Sequence, residues 1–281
     1  MKVQDIRNHF VSRADWVDSE HTVDIVTRGN PEADIDRCLV SWMPSFAALR
    51  HMVENEVPLM ICHEAIFWQH PDPIDNSGSS SFCKPLNVPA NLPSDALEEK
   101  SQFIQEHDLT ILRNHDCWDV WPDVGIPWAW ASFLDLGTEL KAVGSNGYQH
   151  RYDIEPVTLD KFAGQVAEKC AGLGEPLVQV MGNSSQQVSK IGIGTGCACD
   201  IPTFKEMGCD CSIVTDDGSV YWSNIQRADD SRHPVIRVNH GTSEEPGMVT
   251  MTEYINDNIE GVHAEHLPHG SSFRLVGAND G

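Results

Sequence analysis

Short apolar runs alternate with segments of helical period along most of this chain, and that alternation limits its fold more than any other feature. CLVSW (38–42), VPLMIC (57–62) and LTILRN (109–114) read as strands. Between them, SFAALRHMVENE (45–56) and SDALEEKSQFIQEHD (94–108) repeat apolar residues at helical spacing, and Ser94 or Asp95 can cap the second. A short helix follows Gly125, and TLDKFAGQVAEKCAGLG (158–174) is a helix stopped by glycine. PLVQVM, SKIGIG, CSIVT and HPVIRVN are further strands. This β-α-β-α order predicts an α/β fold with mixed, largely parallel sheets.

Two stretches break the pattern. Residues 70–93, HPDPIDNSGSSSFCKPLNVPANLP, form a long loop insertion, either a lid or a solvated excursion. GSNGYQHRYDIEPV, near residues 144–157, reads as a connector. It divides the chain into a first lobe, 1–145, and a second, 146–281, whose last helix and strand can return to the first.

The 281 residues are 40% hydrophobic and 22% charged, a globular composition. A formal net charge of -23 repels phosphate backbones and argues against nucleic acid as a partner. The first residues, MKVQDIRNHFVSRADW, lack the apolar core of a signal peptide, and no stretch reaches the ~20 apolar residues of a membrane span. Nine scattered cysteines suit a reducing cytoplasm better than a disulfide framework. The expected partner is therefore a small-molecule substrate, with no membrane involved.

Polar residues placed at strand ends carry the functional signal. His63 and Glu64 interrupt the apolar stretch PLMICHEAIFWQ just past a strand. His115 follows the next strand, with Asp119 four residues on, and His240 follows HPVIRVN, with Glu244 four residues on. Thr242 or Ser243 can cap a helix starting there. Ligands in open α/β sheets bind outside the carboxyl ends of strands, so three such ends can gather imidazoles and carboxylates around a dinuclear metal site. Each pair alone is as readily a hydrogen-bonded strand end; the coincidence of three is the argument.

In order, TVD (22–24), GNPE (29–32), CHE (62–64), His115 with Asp119, Gly125-Ile126, and His240 with Glu244 resemble the Ngg-interacting-factor-three-like dinuclear metal proteins, also called the GTP cyclohydrolase 1 type 2 family. The resemblance runs from about Val23 to Pro268. It implies two α/β lobes with a metal cleft between them, assembly into a homohexamer, and His63, His115, Asp119, His240 and Glu244 as ligands. The family's early motif is His-His; Glu64 stands at its second position. As a ligand, Glu64 raises the carboxylates to three, a harder set that favours manganese or iron, with zinc also admissible. Its other readings are a general base and a structural salt bridge, in that order.

The expected function is that of a metal-dependent hydrolase with two divalent ions per subunit. A metal-bound hydroxide would attack an amide, amidine or heterocyclic C–N bond, as in a cyclohydrolase. Glu64, Asp116 and Glu245 are the candidate acid/base groups, with Glu64 and Glu245 preferred. The alternatives are a non-catalytic metal-binding or regulatory ring and a nucleotide phosphoester hydrolase. Other signals carry less. Cys197, Cys199, Cys209 and Cys211 form a C-x-C-x9-C-x-C pattern, too cramped for typical structural zinc and better read as buried thiols. GIGTGC (192–197) lacks the final glycine of a dinucleotide loop and reads as a tight turn. His263, His266 and His269 lie on an extended segment and do not share a face. Trp118, Trp121, Trp128 and Trp130 are mostly core or interface.

Overall fold

The computed structural model describes residues 1–68 and 94–276, so the loop expected at 70–93 lies outside the described residues. In chain order the first elements are α1 (Val3–Val11), β1 (Val26–Arg28), β2 (Arg37–Ser41), α2 (Phe46–Glu54), β3 (Leu59–Cys62), α3 (Ser94–Glu106), β4 (Thr110–Arg113), α4 (Asp116–Asp119) and α5 (Ile126–Phe133). There follow β5 (Leu140–Val143), β6 (His150–Thr158), α6 (Leu159–Ala171), β7 (Gln179–Met181), β8 (Gln187–Ile193), α7 (Ile201–Glu206) and β9 (Cys211–Thr215). A π-helical turn, Tyr221–Ile225, leads to α8 (Gln226–Asp230), β10 (Val235–Val238), α9 (His240–Asn258) and β11 (His263–His266).

The chain forms two compact units. The first comprises Met1–Trp121 and Met248–His269, the second Pro122–Gly247 and Gly270–Gly281. In the first unit, the sheet order is β1-β4-β3-β2-β11, with parallel pairing throughout except for β1, which runs antiparallel to β4. β3 and β4 are buried at every position, which is why they read as continuous apolar runs rather than alternating ones. Leu39, Met60 and Ile111 of this sheet pack with Leu49 and Met52 of α2 and Ile104 of α3. Ser45 starts α2 by accepting the Ala48 N–H on its side chain.

The second unit has the order β5-β6-β8-β9-β10-β7. Its centre, β8-β9-β10, is parallel; β5, β6 and β7 join antiparallel. Here the expected connector is corrected: His150–Thr158 is β6, hydrogen-bonded to β5 on one side and β8 on the other. The polar side chains of GSNGYQHRYDIEPV hid a strand with one exposed face. The division falls instead at Trp121/Pro122, because Trp130, Ala131, Leu134 and Leu136 pack with Tyr152, Ile191 and Ile213 of the second unit. The last part of α9 and β11 group with the first unit, where β11 pairs with β2.

Candidate metal-binding residues

β3 ends at Cys62 and the chain turns at once. The backbone N–H groups of His63 and Glu64 both donate to the Trp42 carbonyl, at 3.1 and 2.8 Å. That shared acceptor ends the strand, so the two adjacent side chains are released from strand alternation. On the neighbouring strand, Asn114 N–H donates to the Cys62 carbonyl at 2.8 Å, holding the ends of β3 and β4 together.

The first candidate metal-binding corner is built there. The His63 and His115 rings stack with centroids 4.5 Å apart and planes 16° apart. Asp119, one helical turn beyond His115, lies with one carboxylate oxygen 3.4 Å from His63 Nε2 and the other 3.2 Å from His115 Nδ1. One ligand atom from each of these three residues falls within 4.8 Å of the others, the spacing of donors that share an ion.

Two further acids, Asp24 and Asp116, fix this corner. Asp24 is buried and accepts the backbone N–H groups of His115, Asp116 and Cys117 at 2.5, 3.0 and 2.7 Å. It fills the donors that open the first turn of α4, a cap supplied from elsewhere in the chain. Burial, with the nearby Asp116 charge, pushes the Asp24 carboxyl above its usual range. Asp116 touches His115 Nδ1 at 2.9 Å and accepts from the Thr22 hydroxyl at 2.8 Å and the Val23 N–H at 3.3 Å. Burial opposes its ionisation, but these donors hold it well below the carboxylate range. Asp116 thus engages His115, Thr22 and Val23. For His115, burial disfavours the imidazolium, yet Asp119 and Asp116 outweigh it and push the metal-free group up to about 9.

Glu64 meets a cation that sequence reasoning passed over. Arg113, at the end of β4, is fully buried. Its Nε donates to the His63 carbonyl at 2.9 Å, and its Nη2 lies 3.4 Å from Glu64 Oε2. The Ala65 N–H also reaches Glu64 Oε2, at 3.3 Å. The salt bridge, the last of the three readings for Glu64, is therefore formed, and Arg113 offsets one of the three carboxylate charges.

The second corner follows β10. His240 opens α9, so Thr242 and Ser243 lie inside the first turn instead of capping it; Ser243 Oγ donates back to the His240 carbonyl at 2.7 Å. Remote acids supply the cap: Asp216 accepts the His240 N–H at 2.7 Å, and Glu175 accepts the Asn239 N–H on both oxygens, at 3.1 and 3.0 Å. Asp217 Oδ2 lies 2.9 Å from His240 Nδ1, which selects the tautomer whose Nε2 lone pair is available to a metal. Nε2 in turn lies 2.9 Å from Glu244 Oε2. Glu245 is buried one residue on, about 100° around the helix from that face.

Ile193 ends β8, and Ala198 N–H bonds the Thr195 carbonyl at 3.0 Å, so GIGTGC forms a tight turn. Cys199, Cys209 and Cys211 are buried; burial pushes the Cys199 and Cys209 thiols up to about 12. Among the described residues, no candidate metal group contains a cysteine or His263, His266 or His269. Trp118 and Trp130 are fully buried and Trp121 nearly so.

A family model described as Duf34/NIF3 (NGG1p interacting factor 3) matches residues 88–269, well over half of the chain. That span holds His115, Asp119, His240 and Glu244; His63 and Glu64 precede it. None of the curated proteins matches the chain in sequence. Solved structures match its fold. A Staphylococcus aureus hypothetical protein, SA1388, is 17% identical, with a TM-score of 0.74 over 98% of this chain and 99% of that one. A Bacillus cereus protein related to NIF3 is 13% identical, with a TM-score of 0.76 over 98% and 99%. Reduced HcgD from Methanocaldococcus jannaschii is 17% identical, with a TM-score of 0.67 over 95% and 98%.

Proposed function

The chain belongs to the Duf34/NIF3 family, and from that premise we propose that it is a metal-dependent hydrolase acting on a small molecule with an amide, amidine or heterocyclic C–N bond. The observation that carries the metal reading is the convergence of His63, His115 and Asp119 within one ion's reach. Two imidazoles and a carboxylate suit manganese, iron or zinc. His240 and Glu244 form a further chelating pair, and the donor count supports two divalent ions per chain. A bound divalent ion supplies Lewis acidity and acidifies water.

The remaining chemistry belongs to the chain's own side chains. Asp116 and Asp217 lie 2.9 Å from Nδ1 of His115 and His240 and orient both rings; for His240 this leaves Nε2 to face a ligand. Glu64, partly exposed and steadied by Arg113, is the carboxylate placed to accept a proton from water, and Glu245 is the other acid of the pair expected from sequence.

A second reading, metal holding or regulation without turnover, is favoured by the engagement of Asp116 with His115 and of Glu64 with Arg113. Homohexameric assembly and a cytoplasmic setting are part of the proposal; no helix among the described residues is long and apolar enough to cross a membrane. The deciding experiment is metal analysis of the purified protein, then a screen of cyclic amides, amidines and nucleotide phosphoesters. Two ions per chain with C–N hydrolysis supports the proposal. Phosphoester cleavage alone replaces the substrate class, and metal without turnover favours the second reading.

A further inference from the structure

The turn after β8 leans directly on the second ligand pair. Gly196 is buried, with φ +50, and a Cβ built on it would stand 2.7 Å from Glu244 Oε1 and 3.0 Å from His240 Nε2. Any side chain here would press on both the Glu244 carboxylate and the His240 ring edge. The turn is tied down from behind. The Thr215 hydroxyl contacts the Gly196 carbonyl and lies 3.0 Å from Asp217 Oδ1, while Gly218 N–H donates to it at 3.2 Å. Asp217, through its other oxygen, holds His240 Nδ1. One hydroxyl thus joins the turn over the ligand atoms to the acid that orients the ligand ring.

A threonine hydroxyl has one proton, and here it faces two acceptors, the Gly196 carbonyl and Asp217. The Cys199 thiol, 3.7 Å from the same carbonyl and kept protonated by burial, is a second donor to the turn. The turn therefore stays anchored when the Thr215 proton goes to Asp217. Gly218 shares the tight packing: a Cβ there would meet Cys199 Sγ at 2.8 Å and the Gly196 carbonyl at 2.9 Å.

We propose that Gly196 and Thr215 are positioning residues that set the geometry and affinity of the His240–Glu244 pair. Gly196 does so by its missing side chain, and Thr215 by linking the turn to Asp217. This rests on reading that pair as metal ligands. The test is a cobalt(II) titration, followed by d–d absorption, of wild type, His240→Ala, Thr215→Val, Thr215→Ser and Gly196→Ala, each checked for native circular dichroism. His240→Ala tests the underlying reading alone: if it binds as much cobalt as wild type, the pair is not a ligand set, whatever the turn does. Given that loss, Thr215→Val is expected to weaken this pair about tenfold, as outer-shell partners of metal ligands do, and Thr215→Ser to restore it. Gly196→Ala is expected to weaken it and alter the cobalt spectrum. Wild-type affinity in both Thr215→Val and Gly196→Ala overturns the proposal. So does equal weakening by Thr215→Val and Thr215→Ser, which would assign the effect to packing and not to the hydroxyl.

Discussion

The two candidate corners are built to one plan and filled differently. In each, a strand end delivers a histidine, an acid follows four residues on, and a neighbouring aspartate lies 2.9 Å from Nδ1. In each, an acid from another element accepts the histidine's own backbone N–H: Asp24 in the first corner, Asp216 in the second. The first corner adds His63, stacked on His115, and so gathers three donors within its own unit. The second gathers two and leans on a glycine turn. Chelation strengthens with each preplaced donor, so the first corner should bind the tighter ion.

The largest expected effect is at the first corner. His63→Ala or His115→Ala should abolish its metal binding while leaving the fold intact, since both residues lie beyond strand ends. Equilibrium dialysis against manganese and zinc checks this, and retention of wild-type metal content would break the comparison.

Next comes Asp24→Asn. A buried carboxylate accepting three N–H groups loses its charge, and one amide face becomes a donor facing donors. Unfolding should become easier by about 2–3 kcal/mol, the scale of hydrogen bonds to a buried charge. Asp216→Asn, at an exposed residue, should change stability far less. Urea denaturation of both variants compares them, and equal losses would mean that the caps are not distinguished by burial.

A pH effect is smaller and separates metal-free from loaded protein. In the metal-free chain His115 is raised from 6.5 to about 9, so its stabilising charge is fully present below pH 6.5 and is lost as pH rises through 9. Metal must displace that proton. Affinity at the first corner should therefore rise about tenfold per pH unit between 6.5 and 9 and then level. Isothermal titration across that range reads the slope, and a flat profile would remove the proton from the competition.

Glu64→Gln should do least to metal content. With Glu64 held by Arg113, the variant should keep both ions, and a loss of turnover would mark Glu64 as the base. Loss of one ion in that variant would mark Glu64 as a ligand, a role that its place with His63 in a candidate metal group allows.

The strand–helix order and the grouping of His63, His115 and Asp119 were legible because apolar runs and strand-end histidines are local patterns. His115 with Asp119, and His240 with Glu244, needed only helical spacing. What was illegible depended on distant partners. Asp24 lies ninety-one residues from the backbone N–H of His115 that it caps. Arg113 read as one more residue of a strand end, and only folding brings it against the His63 carbonyl and Glu64. The strand β6 was missed because one of its faces is polar and exposed, so its period-2 signal resembled a linker.

The central claim is that the first corner holds an ion without the second. Metal stoichiometry and affinity of His240→Ala, measured beside wild type by competition with a chromogenic chelator, test it most directly. The expected result is one ion retained at close to the affinity of the tighter wild-type site. A His240→Ala protein that is folded but binds no metal would contradict it.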